Sequence, residues 1–311
     1  MYNLGIYSRR NQILLSQDGF EKAKGFILTQ ARPLEQALFA FHFENGSQET
    51  VLDALAGFQN ADGGFGHALE PDIRLPDSSP MVTTVGFQVM RDVGVSGDQE
   101  MVQRGVRFLL DTYDADLGRW PQVPSSVDDY PHAPWWTFNA EDAKKEGFRP
   151  NASAEIVGHF WHYRELVPDD FLKEITQTAL SHLDASQVDM EMHDALCYLW
   201  LLEIEDLPDL DKVKQKMVAV GSEIVARDPE QWSGYGLRPL TLAPLPTSPL
   251  ADVLKDVIQV NLDYEIEHQG DDGAWHPAWS WGSDGWEEAE RDWKGVLTGK
   301  MLRSLKGFGR V

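Results

Sequence analysis

Four titratable side chains, those of His67, Glu70, Asp72 and Asp77, fall within one short stretch of the sequence. Two prolines in the stretch exclude a helix, so we expect an extended loop whose side chains converge on one place. Carboxylic acids beside a histidine are the groups that general acid–base catalysis uses, which makes this loop the predicted catalytic site. A solvated acidic loop is the alternative, because isolated Asp and Glu side chains usually lie at the surface.

Aromatic residues form the second group of side chains that could take part in binding or catalysis. The chain has 11 tryptophans, and most lie in or beside predicted loops. Tryptophan faces stabilise a carbocation or an ammonium group, and they stack on sugar rings. We therefore predict that Trp135, Trp136, Trp279 and Trp281, with His132, bind the substrate. The alternative is that these rings pack between helices, and His132 beside them is then a packed, hydrogen-bonded residue.

A repeated turn positions the acidic loop. Residues 59–65 read Gln-Asn-Ala-Asp-Gly-Gly-Phe and stand where an apolar helix stops, and residues 269–275 read Gln-Gly-Asp-Asp-Gly-Ala-Trp. Residues 114–120 form a weaker third copy with the acid, glycine and aromatic kept. Glycine supplies the positive φ that reverses the chain, and we interpret the glutamine and aspartate as structural groups that bond the backbone of the turn. Repeated turns of this kind indicate a repeat architecture of helix pairs.

Apolar residues recur at intervals of three and four through most of the chain, which predicts an all-α protein with eleven or twelve helices. We expect an α/α toroid of six antiparallel helix pairs with long loops at one rim, folded as a single domain over residues 1–311. Residues 1–15 are interpreted as a strand or an extended arm. A serine cap at Ser79, followed by Pro80, opens the helix after the acidic loop. The other helices are predicted at 18–31, 34–41, 47–58, 98–114, 153–166, 169–183, 190–204, 210–226, 248–267 and 293–305.

Composition excludes several classes of function. The net charge is −23, from 27 Lys and Arg against 50 Asp and Glu, so phosphate backbones and anionic lipid are repelled and nucleic acid is not an expected partner. Cys197 is the single cysteine, which excludes an intrachain disulfide and fits a reducing compartment. The start of the chain lacks a secretory pattern, and no apolar run is long enough for a membrane span. We therefore expect a soluble cytoplasmic protein.

The two better turns resemble the glutamine–tryptophan repeats of squalene cyclases and other terpenoid cyclases, and the similar turns of protein prenyltransferase β subunits. The resemblance extends loosely over the whole chain and is specific at those two turns only. It implies an α/α toroid with a central aromatic cavity, in agreement with the helix count.

The catalytic signatures of these families match poorly. Terpenoid cyclases that protonate an alkene use an Asp-x-Asp-Asp motif, of which Asp77 is the one aspartate retained here. Its alternative role is that of a helix-start residue, because a helix N-terminus favours the carboxylate form. Prenyltransferases bind zinc through Asp, Cys and His; here Asp194 and Cys197 are spaced one residue too far apart, and Lys294 stands where histidine is expected. We therefore predict no metal and no cofactor, with Cys197 as a buried small hydrophobe.

Two classes of enzyme and one class without catalysis follow. The resemblance implies an isoprenoid enzyme in which one acid of the loop from Glu70 to Asp77 starts a cyclisation or an isomerisation. The alternative is a carbohydrate-active protein, since α/α toroids also carry sugar chemistry with paired carboxylates and tryptophans. The third is a toroid that binds a ligand or a protein without catalysis.

Overall fold

A computed structural model describes residues 12–311 of the protein. Within these residues all regular structure is helical and none belongs to a strand, which confirms the all-α class. Most of the predicted N-terminal arm lies outside the described residues, and residues 12–15 belong to no helix. The α-helices are α1 (Gln17–Gln30), α2 (Pro33–Phe43), α3 (Gln48–Ala56), α4 (Pro80–Asp92), α5 (Glu100–Asp111), α6 (Pro150–His162), α7 (Asp169–Ala185), α8 (Met192–Leu199), α9 (Leu210–Ile224), α10 (Pro239–Leu242), α11 (Ala251–Glu267) and α12 (Glu287–Gly307).

Serine caps start three of the helices. The hydroxyl of Ser16 accepts a hydrogen bond from the third residue beyond it, and Ser47 and Ser79 do the same for α3 and α4. These bonds satisfy backbone N–H groups that lack a partner inside the helix. The predicted start of α4, with Ser79 as cap and Pro80 at the first position, is confirmed.

The start of α12 differs most from the prediction, since this helix begins at Glu287 rather than at residue 293. Helix α6 is assigned from Pro150, but Asn151 has non-helical backbone angles (φ −88°, ψ 112°), so the regular helix begins beyond it, close to the predicted start at residue 153. Pro239 opens a one-turn helix, α10, that is not among the predicted helices; proline is compatible with the first turn of a helix. No helix within residues 12–311 combines the length and the apolar composition that crossing a membrane requires.

The described residues divide into two compact units. Unit 1 comprises the described residues up to His42 together with Ile224–Val311, and unit 2 comprises Phe43–Glu223. In unit 1 helix α1 packs on α12 and α10 packs on α11. In unit 2 helix α6 is central, since it contacts α4, α7 and α8. The single-domain expectation stays a prediction.

The first turn, residues 59–65 in unit 2, is held by the two side chains that the sequence singles out. The amide of Gln59 donates to the carbonyl of Gly63 at 2.9 Å and to that of Met101 at 3.0 Å. A carboxylate oxygen of Asp62 accepts from the N–H of Gly64 at 3.0 Å. Both residues therefore act as structural groups, as predicted, and Gln59 also ties the turn to α5.

The second turn, residues 269–275 in unit 1, repeats these bonds with its own partners. The amide of Gln269 donates at 2.9 Å to the carbonyl of Gly273 and at 2.9 Å to that of Gly19 in α1. Asp272 accepts from the N–H of Ala274 at 3.1 Å. Equivalent contacts in two distant segments show that the two turns are copies of one structural element.

The aromatic residue at the end of each turn ties it to the next α-helix. In all three turns its backbone N–H donates to a hydroxyl on that helix, and the pairs are Phe65 with Thr83 at 3.0 Å, Trp275 with Thr298 at 3.0 Å and Trp120 with Ser153 at 3.4 Å. The indole N–H groups of Trp120 and Trp275 reach back to carbonyls of the preceding helix, Leu109 and Glu265. The weaker third copy thus keeps the geometry of the other two, although its glutamine is missing.

Candidate functional site

Two loops of unit 2 lie side by side and bring the predicted catalytic and substrate-binding segments together. The N–H of Arg74 donates to the carbonyl of Pro131 at 2.9 Å, and the N–H of Ala133 donates to the carbonyl of Asp72 at 2.9 Å. Between these bonds Ile73 pairs with His132 in an isolated antiparallel bridge. We name residues 67–77 and 130–138 the loop pair.

Burial separates the three carboxylates of the loop pair. Glu70 is 8% exposed and Asp72 is 3% exposed, whereas Asp77 is exposed and accepts a long 3.4 Å hydrogen bond from the hydroxyl of Ser126. An acid that must stay protonated requires burial, since water favours the charged form. Glu70 and Asp72 are thus shielded from water, whereas Asp77 is not.

Replacing Ser79 with alanine will lower the free energy of unfolding by about 1 kcal/mol, the usual value of a serine cap. The Ser79 hydroxyl accepts from the N–H of Val82 at 3.1 Å, whereas Asp77 makes no bond to the first turn of α4 among the contacts of the described residues. The Asp77→Ala variant is therefore the matched control and will change stability by less than about 0.5 kcal/mol. Urea unfolding measures both, and a larger loss for Asp77→Ala would restore Asp77 as the helix-start residue.

His67 has a structural role in the loop pair. It has a positive φ of 53°, and its Nε2 lies 2.8 Å from the side-chain oxygen of Asn60. The amide of Asn60 donates in turn to the carbonyl of Pro76 and to the hydroxyl of Ser78. These contacts hold the ends of the acidic loop together, so the geometry of the loop depends on His67.

The ring of His132 is held in one orientation. Its Nδ1 lies 2.8 Å from the carbonyl oxygen of Tyr130, which only accepts, so this nitrogen carries the hydrogen. Its Nε2 lies 3.2 Å from the hydroxyl of Thr137 and 3.5 Å from a carboxylate oxygen of Asp128. In the neutral tautomer Nε2 is therefore the basic nitrogen, and it is placed for proton exchange.

The two tryptophans of the loop pair differ in exposure. Trp135 is 50% exposed, whereas Trp136 is partly buried. The indole nitrogen of Trp136 is covered, and no residue of the described part of the chain accepts its hydrogen. Buried polar groups are normally bonded, so this N–H is an exception that a ligand oxygen would satisfy.

The other two predicted tryptophans lie in unit 1. The rings of Trp279 and Trp281 are 6.3 Å apart and inclined at 66°, and Trp279 also meets Trp293 edge to face at 5.0 Å. Trp281 is 8% exposed. These residues form an aromatic cluster of their own, so the predicted binding residues fall into one group in each unit.

A buried polar network in unit 2 was missed by sequence reasoning. Glu155 on α6 accepts from Gln88 at 2.7 Å and lies 3.2 Å from Nε2 of His159, one helical turn further on. The thiol of Cys197 on α8 lies 3.8 Å from the second carboxylate oxygen of Glu155. The one signal in the sequence is the spacing of four between Glu155 and His159, because glutamate and histidine at that spacing share a helix face.

Arg91 on α4 completes the network. One of its nitrogens lies 3.2 Å from Nδ1 of His159, another donates to Glu203 at 2.6 Å, and the guanidinium lies 4.6 Å above the Trp200 ring. Because arginine only donates, Nδ1 of His159 accepts, and Nε2 then donates its hydrogen to Glu155. Glu155 and Arg91 thus bond a neutral histidine between them.

Burial sets the protonation states of this network. It lowers the pKa of His159 to about 4, against the opposing effect of Glu155. It also raises the pKa of Cys197 well above its usual value, with the Glu155 charge acting in the same direction. Cys197 is therefore a protonated, buried thiol, consistent with the predicted small hydrophobe.

Comparison of the sequence with models of protein families gives no match, and no curated protein is significantly similar to it.

Proposed function

We propose that the chain is a terpenoid-cyclase-like protein whose loop pair binds an isoprenoid and starts an acid-initiated cyclisation or isomerisation. The observation that carries the proposal is the backbone pairing of the Asp72 segment with the His132 segment. It joins two buried carboxylates to a histidine and two tryptophans that are far apart in the sequence. The likeness of the first and second turns supports the related proposal that the helices form an α/α toroid of six pairs.

The reaction needs a proton donor, a surface that stabilises a cation and a proton acceptor. Asp72 is the proposed donor, since it is the more buried carboxylate of the loop. Its proton adds to an alkene carbon, and the resulting carbocation is stabilised by the faces of Trp135 and Trp136. The basic Nε2 of His132 then removes a proton from a neighbouring carbon, which forms the new double bond and leaves the atoms and charges balanced.

Native mass spectrometry with squalene, farnesyl diphosphate and maltohexaose tests this function. We expect an isoprenoid to be retained. Trp136→Phe will weaken the retention of farnesyl diphosphate about tenfold, because phenylalanine keeps the aromatic face and loses the N–H that a diphosphate oxygen would accept. It will leave the retention of squalene, which has no oxygen, unchanged. Asp72→Asn will bind the isoprenoid and form no product, provided that circular dichroism shows a folded variant. Because an isomeric product has the mass of its substrate, product is measured by gas chromatography of the extracted ligand. Trp161→Phe is the matched control, since its indole N–H already donates to Thr176 at 2.9 Å.

The remaining outcomes separate the alternatives. Retention of neither isoprenoid contradicts the proposal. Retention of maltohexaose that Trp136→Phe weakens would instead indicate a carbohydrate-active site at the loop pair. Retention of none of the three ligands would favour a toroid without catalysis.

A further inference from the structure

Unit 1 contains a cluster of five aromatic rings, which we name the tryptophan cluster. Trp281 stacks on Trp286 with the ring centroids 5.6 Å apart and the planes inclined at 9°. Trp279 contacts Trp281 and Trp293, and Tyr235 meets it edge to face at 5.8 Å. Tyr235 is 57% exposed, so the cluster reaches the surface of unit 1 at this residue. The cluster therefore presents flat apolar faces at the surface.

The indole N–H of Trp279 has no acceptor in the part of the chain that the structure describes, although the nitrogen is buried. Its neighbours are aromatic rings, which are poor acceptors. Other tryptophans of unit 1 are bonded: Trp286 donates to the hydroxyl of Ser283 at 3.2 Å and Trp275 to the carbonyl of Glu265 at 2.9 Å. An unpaired buried donor costs about 1–3 kcal/mol, so an acceptor supplied by a ligand would be stabilising.

The segment that carries the cluster is acidic. Asp284, Glu287 and Glu288 are exposed and lie beside Trp286 in the sequence. The nearest basic residue along α12, Arg291, is exposed, and Lys294 pairs with Glu290 at 2.9 Å. The segment thus has one buried donor, the Trp279 N–H, and exposed carboxylates that are neighbours of Trp286 in the sequence.

These features discriminate between classes of ligand. A hydrocarbon would leave the Trp279 N–H unpaired, and an anion would be repelled by the carboxylates. A tetraalkylammonium cation has no lone pair with which to accept the N–H. A neutral polyhydroxylated ring satisfies all three features, because its C–H face stacks on an aromatic ring while its hydroxyl oxygens both accept and donate.

We propose that the tryptophan cluster is a binding site for a neutral sugar, with one hydroxyl oxygen of the sugar accepting the Trp279 N–H and others donating to Asp284, Glu287 or Glu288. The site lies within unit 1 and does not depend on the function proposed for the loop pair in unit 2. It adds a second type of ligand to the protein.

The site is tested by titrating the full chain with maltohexaose and with cellohexaose and measuring binding by calorimetry and by tryptophan fluorescence. We expect one of the sugars to bind. Trp279→Phe will weaken the sugar affinity about tenfold, because it removes only the N–H. Tyr235→Ala will weaken the sugar affinity through loss of the exposed ring. Tyr235 is largely exposed, so its variant keeps the proposal testable if Trp279→Phe fails to fold. Trp161→Phe, in unit 2, is the control and will leave the affinity unchanged, whereas Trp136→Phe tests whether the sugar binds at the loop pair instead.

Three results would overturn the inference. The first is that neither sugar binds. The second is that Trp279→Phe and Tyr235→Ala bind as well as the unmodified protein. The third is that tetramethylammonium or inorganic pyrophosphate binds the cluster in preference to both sugars. A loss caused by Trp136→Phe alone would place the sugar at the loop pair, so failure here is distinguishable from failure of the isoprenoid proposal.

Discussion

Alanine at position 63 will lower the free energy of unfolding by about 4 kcal/mol, through strain in the backbone and overlap with a neighbouring helix. Gly63 has a φ of +96°, and a Cβ there would overlap the carbonyl of Arg104, with the carbonyl carbon at 2.8 Å. Because Arg104 lies within α5, its backbone cannot move away without disturbing that helix. The Gly273→Ala variant will behave alike, since φ is +87° and the carbonyl oxygen of Lys22 in α1 would lie 2.6 Å from the new Cβ.

Urea unfolding of these variants measures the effect, and two other glycines provide matched controls. Gly94 and Gly118 also have positive φ, +71° and +69°, but nothing lies within 4 Å of a Cβ built on either. Alanine there will cost only the backbone strain, about 1 kcal/mol. An equal loss of unfolding free energy in all four variants would show that the close approach of the turns to α5 and α1 does not contribute to the cost of the substitutions.

The second large effect is a loss of stability in acid that depends on His159. The folded protein holds His159 neutral, with its pKa lowered by burial from 6.5 to about 4. Between these two pH values the unfolded chain binds a proton that the folded protein does not bind. The contribution of His159 is therefore complete above pH 6.5 and is lost as the pH falls towards 4, by about 3 kcal/mol in total.

Comparison of variants isolates this contribution from that of the carboxylates. Stability is measured by urea unfolding at several pH values between 4 and 7.5 for the unmodified protein and for His159→Gln. The variant will be less stable at pH 7.5, because the bond network between Arg91 and Glu155 is disturbed, and its stability will depend less steeply on pH. His193→Gln, a substitution at a partly exposed side chain bonded to Glu191, serves as the control and will keep the steep dependence. Equal pH dependence for His159→Gln and the unmodified protein would show that His159 is not held neutral.

Local signals in the sequence account for most of the secondary structure. The three serine caps and Pro80 specify helix starts through bonds and φ angles that involve only neighbouring residues. The turns are predictable for the same reason, since Gln59 and Asp62 bond backbone groups within a few residues. One difference between the turns depends on tertiary contacts. The second turn has alanine at position 274, where the first turn has Gly64. A Cβ at Gly64 would lie 2.6 Å from Ser78 and 2.8 Å from Phe108, so the first turn requires glycine there.

The candidate site could be predicted only as separate pieces. Residues 67–77 and 130–138 have no hydrophobic periodicity, so the sequence contains no signal for the backbone bonds that join Asp72 to Ala133 and Arg74 to Pro131. The exposure of Asp77 and the burial of Glu70 and Asp72 are also tertiary properties, because the three carboxylates are chemically alike in the sequence.

By itself the sequence determined the all-α class, the helix starts and the repeated turn, because each depends on interactions within a few residues. The tertiary structure alone decided that Arg91 of α4 and Cys197 of α8 contact His159 and Glu155 of α6. It also decided which tryptophan nitrogens are buried without an acceptor among the described residues. These properties arise from packing between segments that are distant in the chain. A buried group has its pKa and its bonding set by all the elements around it, and no local pattern encodes them.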